Sequence, residues 1–173
     1  TRGRTIGAFS HWRGIMGSYS GIWGDLPNHL VRLALAFAFA FPLGWNRERE
    51  ARSAGLRTFP IVAIASCGFI LLASELLGAR TPEQARILQG LITGIGFIGG
   101  GAILKGGDNV HGTATAASLW NVGVIGAAVG FGYYDLGLIL ALSNFLVLAF
   151  LTPLKRKPRT AASQDRGAGT EPG

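Results

Sequence analysis

Five apolar stretches, each close to the roughly 20 residues that a helix needs to cross a bilayer, follow one another along the chain with short polar breaks between them. The first covers Pro27 to Trp45, with Pro27 suited to a helix start and the run LALAFAFAF free of polar groups. Pro42 and Gly44 are expected to kink or end it, which a membrane helix tolerates when neighbours satisfy the freed carbonyls. The second covers Thr58 to Leu77, with Thr58 as N-cap and Pro60 in the first turn. The third runs from Ile87 to Leu104 and the fourth from Thr113 to Gly132. The fifth, Leu136 to Thr152, is the most uniformly apolar and stops at Pro153. Trp45, Tyr133 and Tyr134 fall at span ends, where interfacial aromatic residues sit. The pattern predicts an all-α fold, a polytopic membrane bundle of five transmembrane helices over residues 27–153.

The flanks differ in character. Residues 1–26 are rich in Gly and Ser, yet Phe9, Trp12, Met16, Tyr19 and Trp23 recur every three or four positions, as on one face of an interfacial helix. Five glycines between Gly7 and Gly24 oppose a stable helix, so a flexible segment is the other reading. Residues 154–173 are polar, basic and Gly-rich, and are expected to form a disordered cytoplasmic tail.

Composition strengthens the membrane reading: 49% of residues are apolar and only 14% charged, against about 25% charged in an average soluble domain. The charges cluster at span ends, so the net charge of +7 is read as topology-setting and headgroup-facing, and nucleic acid is not an expected partner. Ten Lys and Arg lie on the side holding the first-to-second loop, the third-to-fourth loop and the tail. Six lie on the other, of which Arg2 and Arg4 are far from any span. This bias places the C-terminus in the cytoplasm and the N-terminus outside. The single cysteine, Cys67, is read as a packing residue, and no disulfide or cysteine-based metal site can be built from it.

Within the spans, Gly94, Gly96 and Gly99 form a literal GxGxxG, but without the strand and βαβ unit that a dinucleotide site requires. Gly90 with Gly94, Gly96 with Gly100, and Gly126 with Gly130 stand four apart, as at close helix contacts. Alternatively Gly99, Gly100 and Gly101 break the third helix and expose carbonyls to a site, as in transporters. Thr93, Thr115, Ser118 and Asn121 either line an ion path or hydrogen-bond across helix interfaces. His11, His29 and His111 lie outside the spans, and no carboxylate pair falls inside one. Catalysis has no visible machinery, so no enzyme and no cofactor are expected, and whether a metal binds stays open.

Arg47, Glu48, Arg49, Glu50, Arg52 and Arg57 crowd into the first cytoplasmic loop. The plain reading is a topology signal with exposed ion pairs. The functional one is a headgroup-level site in which Arg57, beside Thr58 and the start of the second helix, pairs with Glu48.

The chain also resembles the membrane domain of the MgtC/SapB family of bacterial inner-membrane proteins, through RLALAFAFAFPLGWNRERE, AGLRTFPIV, ARILQGLITGIGFIGGGAIL and VHGTATAASLW. The resemblance places family motifs at Arg47 and Glu48, at Ala54 to Thr58, at Gly94 to Gly101 including Phe97, and at Val110 to Trp120. Asn46 stands where the family usually has an acidic residue, Phe59 where it has His, and His111 where it has Arg. The resemblance implies a role in adaptation to low magnesium and, in pathogens, in survival within host cells. It also implies action through other membrane proteins, the ATP synthase among them. Homo-oligomerisation and a small channel or transporter along the third and fourth helices are the alternatives it leaves.

Overall fold

The computed structural model describes residues 25–50, 54–78, 81–106 and 109–154. Five helices fill almost all of this: α1 (Leu26–Glu50), α2 (Thr58–Leu77), α3 (Pro82–Gly101), α4 (Thr113–Phe131) and α5 (Tyr134–Leu154). Between α3 and α4 a small antiparallel hairpin joins β1 (Leu104–Gly106) to β2 (Asn109–His111), with Lys105 opposite Val110. The fold is therefore an all-α bundle with one short hairpin between α3 and α4.

Four helices, α1, α2, α4 and α5, are long and apolar enough to cross a membrane. At 20 residues α3 would be about 30 Å long, enough to span, but Glu83, Gln84, Arg86 and Gln89 make its first half polar.

Several element boundaries differ from the sequence expectation. α1 does not stop at Trp45 but runs through Pro42 and Gly44 to Glu50. Proline removes one i→i−4 bond and leaves the others intact, and Gly44 lets α1 lie against the next loop, where a Cβ would meet Gly55 O and Phe59 Cβ at 3.2 Å. Arg57, not Thr58, occupies the N-cap position of α2 and gives no side-chain cap; Thr58 is the first helical residue. α3 begins five residues before the expected Ile87, because Thr81 caps it by accepting the Gln84 N–H and Pro82 sits in the first turn. It ends at Gly101, and Leu104 belongs to the hairpin. Gly112 and Gly132 flank α4 with φ of +87° and +86°, left-handed values that glycine adopts without Cβ strain.

α4 is the central helix, touching α1, α2, α3 and α5, and it has more of its length buried than any other apolar span. Its most extensive contact is with α2. There glycine is a steric requirement. A Cβ on Gly126 would collide with the Ala63 carbonyl oxygen, and one on Gly130 would stand 2.7 Å from Ile70 Cβ and 3.0 Å from Cys67 O. A Cβ on Gly123 would collide with Ile95 Cδ1 of α3. Around this seam Leu43, Phe59, Ala63, Cys67, Leu119, Val122, Ile125 and Val129 form a fully enclosed core. The outward sides of α1 and α5 carry exposed Phe37, Leu142, Leu146, Val147 and Phe150, the surface that lipid chains cover.

Replacing Gly126 by Leu forces backbone movement at Ala63 and is expected to lower stability in detergent by about 3 kcal/mol or more, at or above the usual cost of overpacking. Exposed Leu146→Ala is expected to change it by about 0.5 kcal/mol or less. Thermal unfolding of the two variants, followed by helical circular dichroism, checks this order.

Candidate functional site

The crowded loop after α1 is held by a carboxylate, though not through an ion pair with arginine. Glu48 Oε2 accepts the Leu56 N–H at 3.0 Å, and the Glu48 side chain closes over Gly55 so tightly that a Cβ on Gly55 would collide with Oε2. Arg57 is exposed at the start of α2 and makes no ion pair with Glu48. The expected Glu48–Arg57 pair is thus replaced by a hydrogen bond that Glu48 accepts from the backbone N–H of Leu56. Arg52 lies outside the described residues. Arg49 places its guanidinium 5.2 Å from the Trp45 ring centroid, a cation–π contact at an interfacial aromatic residue. Among the described residues of this group Arg47 turns inward, where it is 5% exposed. Beside it, the Oδ1 atom of Asn46 is buried without a hydrogen-bond partner.

Two of the intramembrane polar residues tie α4 to α5. Ser118 Oγ donates to Asn144 Oδ1 at 3.1 Å, and Asn121 Nδ2 donates to the Leu140 carbonyl at 3.2 Å. The Leu140 side chain is itself partly buried against the core. Thr115 is buried, whereas Thr93 is exposed and returns its hydroxyl to the Gln89 carbonyl of its own helix at 2.9 Å. Each bond removes an unsatisfied polar group from an apolar surrounding.

The glycines fall into two sets. Gly99, Gly126 and Gly130 meet neighbouring helices, Gly99 against the Ala116 carbonyl at 3.3 Å. Gly90, Gly94, Gly96, Gly100 and Gly101 meet no neighbouring element among the described residues: a Cβ at any of them would have none of its atoms within 4 Å. Among the described residues none packs closely on these five, and Gly99 to Gly101 continue and then end α3 without breaking it midway. Phe97 projects between them at 86% exposure. On one side of this face an apolar groove of about 650 Å³ runs between α2 and α3, lined by Ile61, Phe69, Leu72, Ile87, Gly90 and Gly94. Ser66 also lines it, and its Oγ is buried without a partner.

Sequence reasoning passed over the opposite end of the bundle. Arg32 lies inside α1, donating from Nε to Asn28 Oδ1 at 3.1 Å and from Nη1 to the Gly130 carbonyl at 2.8 Å. Ser74, Thr81, Gln84 and Tyr133 line a cavity of about 550 Å³ beside it, together with apolar Ala85, Leu88 and Phe131. His29 Nε2 stands 3.6 Å from Glu75 Oε1 nearby, a contact that becomes an ion pair when His29 is protonated. A charge inside an expected span was signal enough to mark Arg32. Thr81 and Gln84 fall outside the expected third span, so only the longer α3 brings them in. Among the described residues no group of three His, Cys, Asp or Glu is placed to hold a metal ion.

Helices with lipid-like outer faces, a glycine seam inside and polar residues bonded across helix contacts define a multi-pass membrane bundle. Residues 33–157 match the MgtC family, and the chain belongs to that family. It is 36% identical to SrpB of Synechococcus elongatus over 150 residues, covering 80% of this chain and 81% of that protein. It is 35% identical to MgtC of Brucella abortus over 133 residues, 77% of this chain and 55% of that protein. A protein of Escherichia coli K12 named putative magnesium transporter YhiD is 33% identical over 125 residues, 69% of this chain and 58% of that protein. The chain thus spans little more than half the length of the latter two. No solved structure matches.

Because Glu48 holds the loop by accepting one exposed backbone N–H, Glu48→Ala is expected to cost about 1 kcal/mol of stability. Glu48→Gln, which keeps an acceptor oxygen, is expected to cost less. Arg57→Lys should leave stability unchanged. Denaturation of the purified variants in detergent measures all three.

Proposed function

We propose that this chain is a regulatory module of the bacterial inner membrane that answers low magnesium or other ionic stress by contacting partner membrane proteins. The observation that carries the reading is the outer side of α3. Gln89, Gly90, Thr93, Gly94, Gly96 and Gly100 are all exposed on a membrane-length helix, and no neighbour among the described residues uses the glycines. Lipid has no use for missing side chains, and glycine weakens a helix by about 1 kcal/mol relative to alanine. A partner helix does use them, because small residues let two backbones approach and let amide and hydroxyl groups bond across the contact. The groove between α2 and α3 extends the same face.

The orientation that goes with this reading has the N-terminus outside and the tail in the cytoplasm, following the Lys and Arg bias. In a Cys67→Ser background, single cysteines at Ser20 and Ser163 test it: an impermeant thiol reagent on intact cells should label the first and spare the second. Labelling of Ser163→Cys from outside would reverse the topology.

Transport is the second reading, favoured by the word transporter in the name of the Escherichia coli relative. Purified chain in liposomes, assayed for Mg²⁺, K⁺ and anion flux, separates the two. The regulatory reading expects no flux above protein-free vesicles. It further expects Gly90→Leu and Gly94→Leu to abolish growth support at low magnesium while thermal stability stays within about 0.5 kcal/mol of the parent, since both positions are open. Flux from the parent chain, or unimpaired growth with both variants, would contradict it.

A further inference from the structure

We propose that the cavity around Arg32 is a binding site for a phosphate-type oxyanion, carried either by a lipid headgroup or by a free anion. The proposal stands apart from the regulatory reading, since it concerns the other end of the bundle and different residues.

The cavity, about 550 Å³ and open on one side, is bordered by α1, the last turn of α2, the first turn of α3 and the end of α4. Arg32 lies about 9 Å along the axis from Leu26 at 1.5 Å per residue, so its charge sits near headgroup depth. The two bonds to Asn28 and Gly130 fix the plane of the guanidinium and leave further N–H groups of its fork for the cavity. No carboxylate of the described residues pairs with Arg32, and no residue lining the cavity is acidic.

The rest of the polar wall is organised around Gln84, which is 5% exposed. Its Nε2 donates to Ser74 Oγ at 3.2 Å, its backbone N–H donates to Thr81 Oγ1 at 3.3 Å, and Ser74 Oγ sends its own proton to the Ile70 carbonyl at 2.9 Å. The Thr81 hydroxyl, which accepts from Gln84, keeps its proton to donate, and the Tyr133 phenol stands at the rim.

One full positive charge facing an open volume, with neutral hydroxyl and amide groups and no acid, is a host for an anion. A metal cation would meet a like charge and no carboxylate ligand. A planar fork suits the paired oxygens of phosphate, and the partial desolvation of a site inside helices strengthens each charge-assisted bond. A cap on the Gly130 carbonyl accounts for one bond of Arg32, yet for neither the cavity nor its polar wall.

The test uses the full chain, purified in detergent and freed of bound lipid. Inorganic phosphate binding is measured by equilibrium dialysis. Retention of phosphatidylglycerol, against an uncharged glycosyl diacylglycerol, is measured by native mass spectrometry. The parent chain should bind one of the two phosphate probes saturably. Binding of inorganic phosphate identifies a free anion as the ligand, and selective retention of phosphatidylglycerol alone identifies a headgroup. Arg32→Gln and Gln84→Glu should each weaken that binding by about tenfold or more, the second by placing a carboxylate of the same size in the wall of the cavity. If Arg32→Gln does not fold, Gln84→Glu decides, because it keeps the Arg32 bonds to Asn28 and Gly130. Absence of saturable binding to either probe, or equal binding by parent and Gln84→Glu, would overturn the site and leave Arg32 as a helix cap.

Discussion

Gly126 and Gly130 allow the backbone of α4 to rest on the carbonyl groups of Ala63 and Cys67 in α2, and the remainder of the bundle is arranged around that contact. In lipid, helices gain nothing from leaving water, so their association depends on van der Waals packing and on a few interhelical hydrogen bonds. A close backbone seam supplies the first. It also places α4 at the centre, where Ser118 and Asn121 reach α5 and where Gly123 receives Ile95 from α3. With its inner side engaged through Ile95 and Gly99, α3 turns its remaining glycines away from the core. The open face on α3 is therefore a consequence of which glycines α4 has already used.

How much of this the sequence contains depends on the signal. The bounds of α2 and the start of α4 are legible, because continuous apolar runs there end at strong turn residues. Hydropathy misplaces α3, since its first half is polar; Thr81, Pro82 and Gln84 form a capping pattern that marks the true start. The hairpin is too short for strand periodicity to register, at three residues a side. Spacing of four occurs in the glycines of α3 and α4 alike, and nothing local distinguishes them. Only the tertiary arrangement decides that Gly126 is enclosed and Gly94 is open.

The candidate sites show the same division. Charge crowding correctly draws attention to the loop after α1, but residue types cannot reveal that Glu48 bonds to a backbone N–H while Arg57 faces away. At the other end Arg32, Ser74 and Gln84 come from three helices and are separated in sequence by up to 52 positions (84 − 32). No motif joins them; the cavity does. The two ends thus present different chemistry, a closed charged loop at one and an open polar cavity at the other, joined by a core without charged side chains.

Oxygen accessibility of nitroxide labels, placed one at a time along α3 from residue 87 to 100 and along α4 from residue 121 to 129 with Gly123 and Gly126 left unchanged, in lipid bilayers, tests this arrangement most directly. The account predicts uniformly low accessibility along α4. On α3 it predicts a helical period, high at positions 90, 94 and 97 and low at 95 and 99, for chains without a partner. A period along α4 with uniformly low values on α3 would contradict the central place of α4 and, with it, the open face.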